Sequence, residues 1–250
     1  MIQTQELATA IGGLYRAFEG YRLRENTDPC PCCHSPQDAE RIRKKILRKL
    51  DYGDLYEYVQ DALYTWGGEA DYKHFLPRIF ELLTLPDPKG AFVDPEVAFV
   101  KLTYSSSDST SWRTWPPAEQ RAISSYFHAL WEAVLDSDPE DLGLGGAYDW
   151  ICAIAQAEHD LSPYLNLWLA ASSGNAHRNL ARMISQEGLP NTAKPGPGYW
   201  EERREQWEQI VAWLRRPNVR RKLDIAFEKW AGAPFANELV DAAVLLPSTQ

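Results

Sequence analysis

Three cysteines and a histidine fall within five positions of the run CPCCHSP, residues 30–36. Thiolate and imidazole are ligands that suit zinc, and a thiol at a helix start ionises readily, so the run raises metal chemistry and thiol chemistry together. Geometry restricts both. A structural zinc ion takes four ligands in a tetrahedron, commonly from two separated pairs, and adjacent residues do not all aim at one ion. Cys30, Cys33 and His34 are the candidate zinc ligands, because Cys30 and Cys33 stand in C-x-x-C spacing. Further ligands would come from Cys152, His74, His128, His159 or His177, none of which stands in a ligand spacing such as HxxxH. The Cys30/Cys33 pair also precedes a helix start, but a thioredoxin-like motif belongs between a strand and a helix, and no such frame surrounds it. Three readings stay open: a structural turn with partly buried thiols, a zinc or other metal site, and a redox or catalytic thiol.

Other polar groupings are weaker. Asp71, His74 and Arg78 are spaced to share one helical face, as an acid/base pair would. The simpler reading makes Asp71 a helix cap, His74 a partner of a neighbouring loop and Arg78 the partner of a carboxylate. Glu158, His159 and Asp160 are consecutive, and consecutive helical side chains diverge, so they make no triad. Asp136, Asp138, Glu140 and Asp141 crowd one short loop without the glycine and final glutamate of a calcium loop. LGLGG at 142–146 lacks the spacing and the strand-to-helix frame of a dinucleotide fingerprint, and no GxSxG, P-loop or HExxH motif occurs.

The elements that must position these groups read as helices. Leu7, Ile11, Leu14 and Tyr15 share one face. Ser35-Pro36 followed by Asp38 and Glu40 reads as an N-cap, a proline at N1 and a first turn of acids, leading a helix whose stripe is Ile42, Ile46 and Leu50. On that helix Arg41, Lys44, Lys45, Arg48 and Lys49 face outward as a solvated basic face. Leu55, Val59, Ala62, Leu63 and Trp66 make a third stripe, closed by Gly67-Gly68. Asp71 is expected to cap a fourth helix burying Phe75, Ile79, Leu82 and Leu83, with Pro77 in its first turns or bending it. A short helix starts at Pro95, Pro116-Pro117 followed by Glu119 launches a long one through Val134, and others are expected at about 147–157, 162–171, 174–187, 199–215, 217–231 and 233–245. The polar stretch 103–117, with two tryptophans, is a loop, and AKPGPG at 193–198 is a turn or linker. No strand pattern of comparable strength appears. The fold expected is all-α, an irregular HEAT-like array of helical hairpins or a compact multi-helix bundle. It forms a single domain over 1–250, and the 103–117 loop is where it would subdivide.

With 250 residues the chain can bury a sizeable core. A net charge of −9 argues against a general nucleic-acid binder, although residues 20–49 carry eight Lys/Arg against four Asp/Glu and residues 50–99 carry ten acids against three bases. The opening MIQTQELATA has no signal-peptide pattern, and no run reaches eighteen uncharged apolar residues, so a cytoplasmic protein without membrane contact is expected. Ten tryptophans supply core anchors and, in part, a binding face.

The blocks CPCCHSPQD (30–38) and YTWGGEADYKHFLPRIFELL (64–83) together resemble a family of uncharacterised bacterial proteins that share a CPCC-type turn and a TWG…D…HFLPR helix. The likeness covers roughly residues 28–85, about a quarter of the chain, and implies no established activity. Genes of this kind resemble those of small cytoplasmic proteins beside secreted bacterial toxins, neighbours that are often immunity proteins. The resemblance therefore implies a non-catalytic protein-binding module that neutralises a cognate toxin by stoichiometric binding. Trp112, Arg113 and Trp115 are then the expected anchors, with Asp136, Asp138, Glu140 and Asp141 as a charged rim; the other reading of the two tryptophans folds them back over the core. The alternatives are a metal- or thiol-dependent enzyme centred on Cys30–His34, supported by Asp71 and His74 across a shared cleft, and a helical adaptor in a larger complex.

Overall fold

A computed structural model of the protein describes residues 2, 4–24, 29–32, 34–85, 93–106, 109–143, 145–191 and 198–247. Twelve α-helices and no strands occur among them, so the fold is all-α; the β-type pairings are isolated bridges. No helix among the described residues is long and apolar enough to cross a membrane. The chain divides into two compact units, residues 3–129 and residues 130–250, with the boundary inside a single long helix.

The first unit holds α1 (Gln5–Ala17), α2 (Pro36–Lys44), α3 (Tyr52–Asp61), α4 (Glu69–Thr84), α5 (Pro95–Val100) and the first part of α6 (Pro117–Asp136). Local chemistry sets the starts. The Thr4 hydroxyl accepts the Leu7 N–H at 3.1 Å. Asp38 reaches back to Ser35, accepting its N–H at 3.1 Å and its hydroxyl at 2.8 Å. Asp51 and Asp54 cap each other's N–H groups at 2.9 and 3.0 Å.

Three local expectations are corrected. The Ile42–Ile46–Leu50 stripe is not one helix: α2 stops at Lys44, the backbone is extended at Lys45 and Ile46, and Ile46 is 75% exposed. Lys45 does not face solvent alone but donates to both carboxylate oxygens of Asp54 at 2.6 Å, which draws the chain off the helical path. The third stripe ends at Asp61, whose carbonyl accepts the N–H groups of Tyr64, Thr65 and Trp66, while Leu63 takes a left-handed φ of 69°. Finally, Gly68 is the N-cap of α4, and Asp71 sits three residues inside it, accepting the Gly68 N–H at 3.0 Å. Pro77 is buried in the helix interior, where its missing N–H leaves the Lys73 carbonyl without its usual donor.

Buried charge knits this unit together. Lys73 is 4% exposed, with its ammonium 2.9 Å from Glu69, 3.0 Å from Glu119 and 4.1 Å from the centre of the Trp115 ring. Tyr21 donates its hydroxyl to Glu119 at 2.7 Å. Burial, then the hydrogen bond to Glu119, raises the Tyr21 pKa above its ordinary value. Around this polar centre lie Phe80, Phe99, Tyr126 and Phe127 in edge and tilted ring contacts, with the Tyr126 hydroxyl on the Phe80 carbonyl at 2.9 Å.

The second unit contains the end of α6, then α7 (Ala147–Ala157), α8 (Ser162–Ala170), α9 (Gly174–Glu187), α10 (Arg204–Leu214), α11 (Pro217–Trp230) and α12 (Ala236–Leu245). The expected helices at 199–215 and 233–245 begin later than the sequence suggests, at Arg204 and Ala236. Apart from Gly198, the expected turn at 193–198 lies outside the described residues. Trp131, Trp168 and Trp213 form its centre: the first two meet edge to face at 5.2 Å and the last two stack at 5.8 Å. The indole N–H of Trp131 donates to the Tyr164 carbonyl at 2.9 Å and that of Trp168 to the Ala176 carbonyl at 3.0 Å.

Replacing Glu119 with alanine strips the Lys73 ammonium of one of its two carboxylates inside the fold. The expected cost is about 3–5 kcal/mol in urea-induced unfolding, much more than that of Glu40→Ala, which removes an exposed i,i+4 partner of Lys44.

Candidate functional site

The CPCC turn is fastened to the connection between α3 and α4. The Cys30 N–H donates to the Thr65 carbonyl at 2.9 Å, Pro29 pairs with Trp66, and the His34 N–H closes back on the Cys30 carbonyl at 3.1 Å. This sets the His34 ring against Trp66, with centroids 4.8 Å apart. Trp66 is itself 1% exposed and braced edge-on by Tyr58 at 5.5 Å. The His34 side chain is 5% exposed, and its Nε2 lies 2.7 Å from Asp61 Oδ2. Glu57 stands one turn before Asp61 on α3, so both carboxylates project from one helical face. One ligand atom each from His34, Glu57 and Asp61 lies within 4.8 Å of the others.

The expected ligand set Cys30, Cys33 and His34 is therefore only partly placed. Cys33 lies outside the described residues, Cys30 is half-buried and Cys32 exposed. Among the described residues, the ligand atoms that converge with His34 are carboxylate oxygens, not sulfurs. Of the more distant candidates, His74 binds the Tyr21 carbonyl through Nδ1 at 3.0 Å, and His128 and His159 are exposed. His177 is buried in α9, where burial and then the charges of Lys222 and Lys229 push its pKa down to about 4. Cys152 is buried in α7.

Asp71 and Arg78 take structural partners. Asp71, fully buried, is gripped by Arg24 as well as by the Gly68 N–H. Arg78 donates to the Leu50 carbonyl and to Glu81, both at 2.7 Å. A cleft of about 740 Å³ opens beside the start of α4, lined by Arg24, Tyr64, Gly68, Glu69, Ser106 and Thr110 among others. Neither His34 nor His74 lines it, so it is not the shared cleft that the enzyme reading expects.

The expected partner-binding residues are placed as follows. Trp112 is fully buried and Trp115 is 3% exposed. Trp112 packs at 6.3 Å from Phe127, and Trp115 donates its indole N–H to the Thr110 carbonyl at 3.1 Å while covering Lys73. Burying one indole removes roughly 150–250 Å² from water, on the order of 4–6 kcal/mol, so a tethered loop turns these rings inward. Of this trio only Arg113 is at the surface, with its guanidinium 4.0 Å over the Trp112 ring. Asp138 and Glu140 pair with Arg178 at 3.0 and 3.3 Å, and Glu140 also pairs with Arg182 at 2.6 Å. Asp136 and Asp141 are exposed.

Glu57 and Asp61 went unnoticed in the sequence, as did Lys101. The first two are visible only as an i,i+4 carboxylate pair, a common pattern on solvated helices. Lys101 is 1% exposed; its ammonium donates to the Gln60 carbonyl at 2.8 Å and lies 3.5 Å over the Tyr64 ring. Burial drives its pKa down to about 7, and the nearby Asp61 charge opposes that only in part. Between about 7 and the ordinary value of 10.5 the unfolded chain holds the extra proton. Stability from this group therefore rises with pH across that window, and the cost of burying the charge is fully present below it. Lys101→Met is expected to stabilise the fold near neutral pH by about 1–3 kcal/mol, a gain that shrinks toward the alkaline end. Urea titrations at both ends of the window measure it.

No family model matches the chain, and no curated protein or solved structure matches it.

Proposed function

We propose that the chain is a protein-binding module whose partner docks on α11 and α12. The observation that carries this is a set of exposed apolar side chains on helices whose inward faces are already occupied. Val219, Leu223 and Ala226 of α11 and Leu239, Ala242 and Ala243 of α12 are buried. Yet Val244 is 71% exposed, and Ile225, Phe227, Val240 and Leu245 are exposed as well. Val240 and Val244 are one turn apart and form a ridge. A helix with one buried stripe ordinarily shows water a polar face, and a second apolar face marks a surface meant for covering. Exposed charges of both signs flank it, Asp224, Glu228 and Asp241 with Arg221 and Lys229, which favours a partner with an apolar groove and a rim of mixed charge.

Binding of this kind is stoichiometric, and the side chains involved are not those of the 103–117 loop. A secreted toxin is the partner class that the resemblance of the CPCC and HFLPR blocks implies; the surface then works by covering the toxin's catalytic cleft or target-binding face.

Val240→Asp combined with Val244→Asp is expected to lower partner affinity by about 100-fold or more. Thermal unfolding should change little beside that loss, because Val244 is largely exposed and Val240 lies at the surface. Partners co-purifying from the native host would be quantified for the wild type, this double variant and Arg113→Glu. Loss confined to the double variant is the expected result; equal recovery of the same partners by all three would refute the assignment.

A further inference from the structure

The cluster of His34, Glu57 and Asp61 belongs to the first unit and has chemistry of its own. We propose that these three side chains form a divalent-cation site, taking zinc or a similar first-row ion through one imidazole nitrogen and two carboxylate oxygens.

Three features carry the assignment. The imidazole is held rather than mobile: its ring lies against the buried Trp66, and the turn that bears it is bonded to the Thr65 carbonyl through Cys30. The carboxylates come from one face of a regular helix, which fixes their separation. The three ligand atoms converge within 4.8 Å, whereas ligands of a tetrahedral ion with bonds of about 2.0–2.2 Å sit roughly 3.3–3.6 Å apart. Glu57 is exposed and makes no ion pair among the described residues, so it can rotate inward by the ångström required. His34 and Asp61, at 2.7 Å, must open slightly as the ion replaces the proton between them. Imidazole with two carboxylates is a donor set for zinc, iron or manganese rather than for the soft ions that thiolates select. Three protein ligands also leave room for water or a partner's side chain on the ion.

The test uses the full chain, stripped with chelator and titrated with Zn²⁺ by calorimetry, and with Co²⁺ for its absorption spectrum. One equivalent of zinc is expected, with a cobalt spectrum lacking a thiolate charge-transfer band. Glu57→Gln, an exposed change that leaves the fold intact, is expected to weaken binding at least about tenfold. Replacing Cys30, Cys32 and Cys33 together with serine should leave it within about twofold. Absence of uptake for zinc, cobalt and manganese overturns the proposal. So does binding that survives Glu57→Gln, that fails in the serine variant, or that shows a thiolate band, since each moves the ion onto the cysteines or elsewhere. His34→Gln, checked by circular dichroism for retained helicity, separates a lost ligand from a lost contact with Trp66.

Discussion

A lysine ammonium inside a protein must have partners, and in the first unit that requirement decides which segments meet. Lys73 belongs to α4, but the groups that satisfy it come from four places: Glu69 one turn earlier, Glu119 from the start of α6, Tyr21 from the chain after α1, and the Trp115 ring from the loop before α6. None of these carries the charge alone. Burial by itself depresses a lysine pKa, yet here the carboxylates and the phenol outweigh it and the Lys73 pKa is raised. The ammonium therefore stays charged and holds the loop 103–117 onto α4. Glu69 extends the tie by accepting the N–H and hydroxyl of Thr110 at 2.7 and 2.9 Å. The aromatic core beside this centre supplies the bulk of the burial, while the charge supplies the register.

The same logic, with arginine in place of lysine, organises part of the second unit. Arg178 and Arg182 on α9 meet Asp138 and Glu140 from the turn after α6, and Glu238 from α12. Guanidinium groups suit this task because their forked donors serve several carboxylates at once. Each exposed pair contributes little by itself, but five contacts sharing two cations fix a turn and a helix against a third element. Acids that look like a rim for an outside partner are in this way partly spent on the protein's own arginines.

Helix positions were legible where the sequence states its boundaries chemically. Ser35-Pro36 with Asp38, Pro95, Pro117 and Pro217 each sit at a helix start because a capping oxygen or a proline without an N–H belongs there. Boundaries without such a marker were misread. Ile46 continues the period of Ile42, and only the reach of Lys45 to Asp54, nine residues away, shows why the helix stops. The tryptophans of 103–117 admit two readings in the sequence, partner anchors or rings folded over the core, because a polar loop gives no sign that Lys73, thirty residues upstream of its start, will draw Trp115 inward. The cysteine turn showed where a site begins, but its other groups, Glu57 and Asp61, both lie on α3 with no spacing that links them to His34.

Asp61 shows how closely structural and chemical roles are joined here. Its backbone carbonyl gathers three N–H groups to end α3, which creates the left-handed step at Leu63 and swings Trp66 back under the cysteine turn. Its carboxylate then meets His34, the ring that Trp66 holds in place. The helix end and the polar cluster are thus products of one residue acting through two different groups. Lys101 tightens the arrangement from below by donating to the carbonyl of Gln60, the neighbouring residue, while its charge acts on the Asp61 carboxylate.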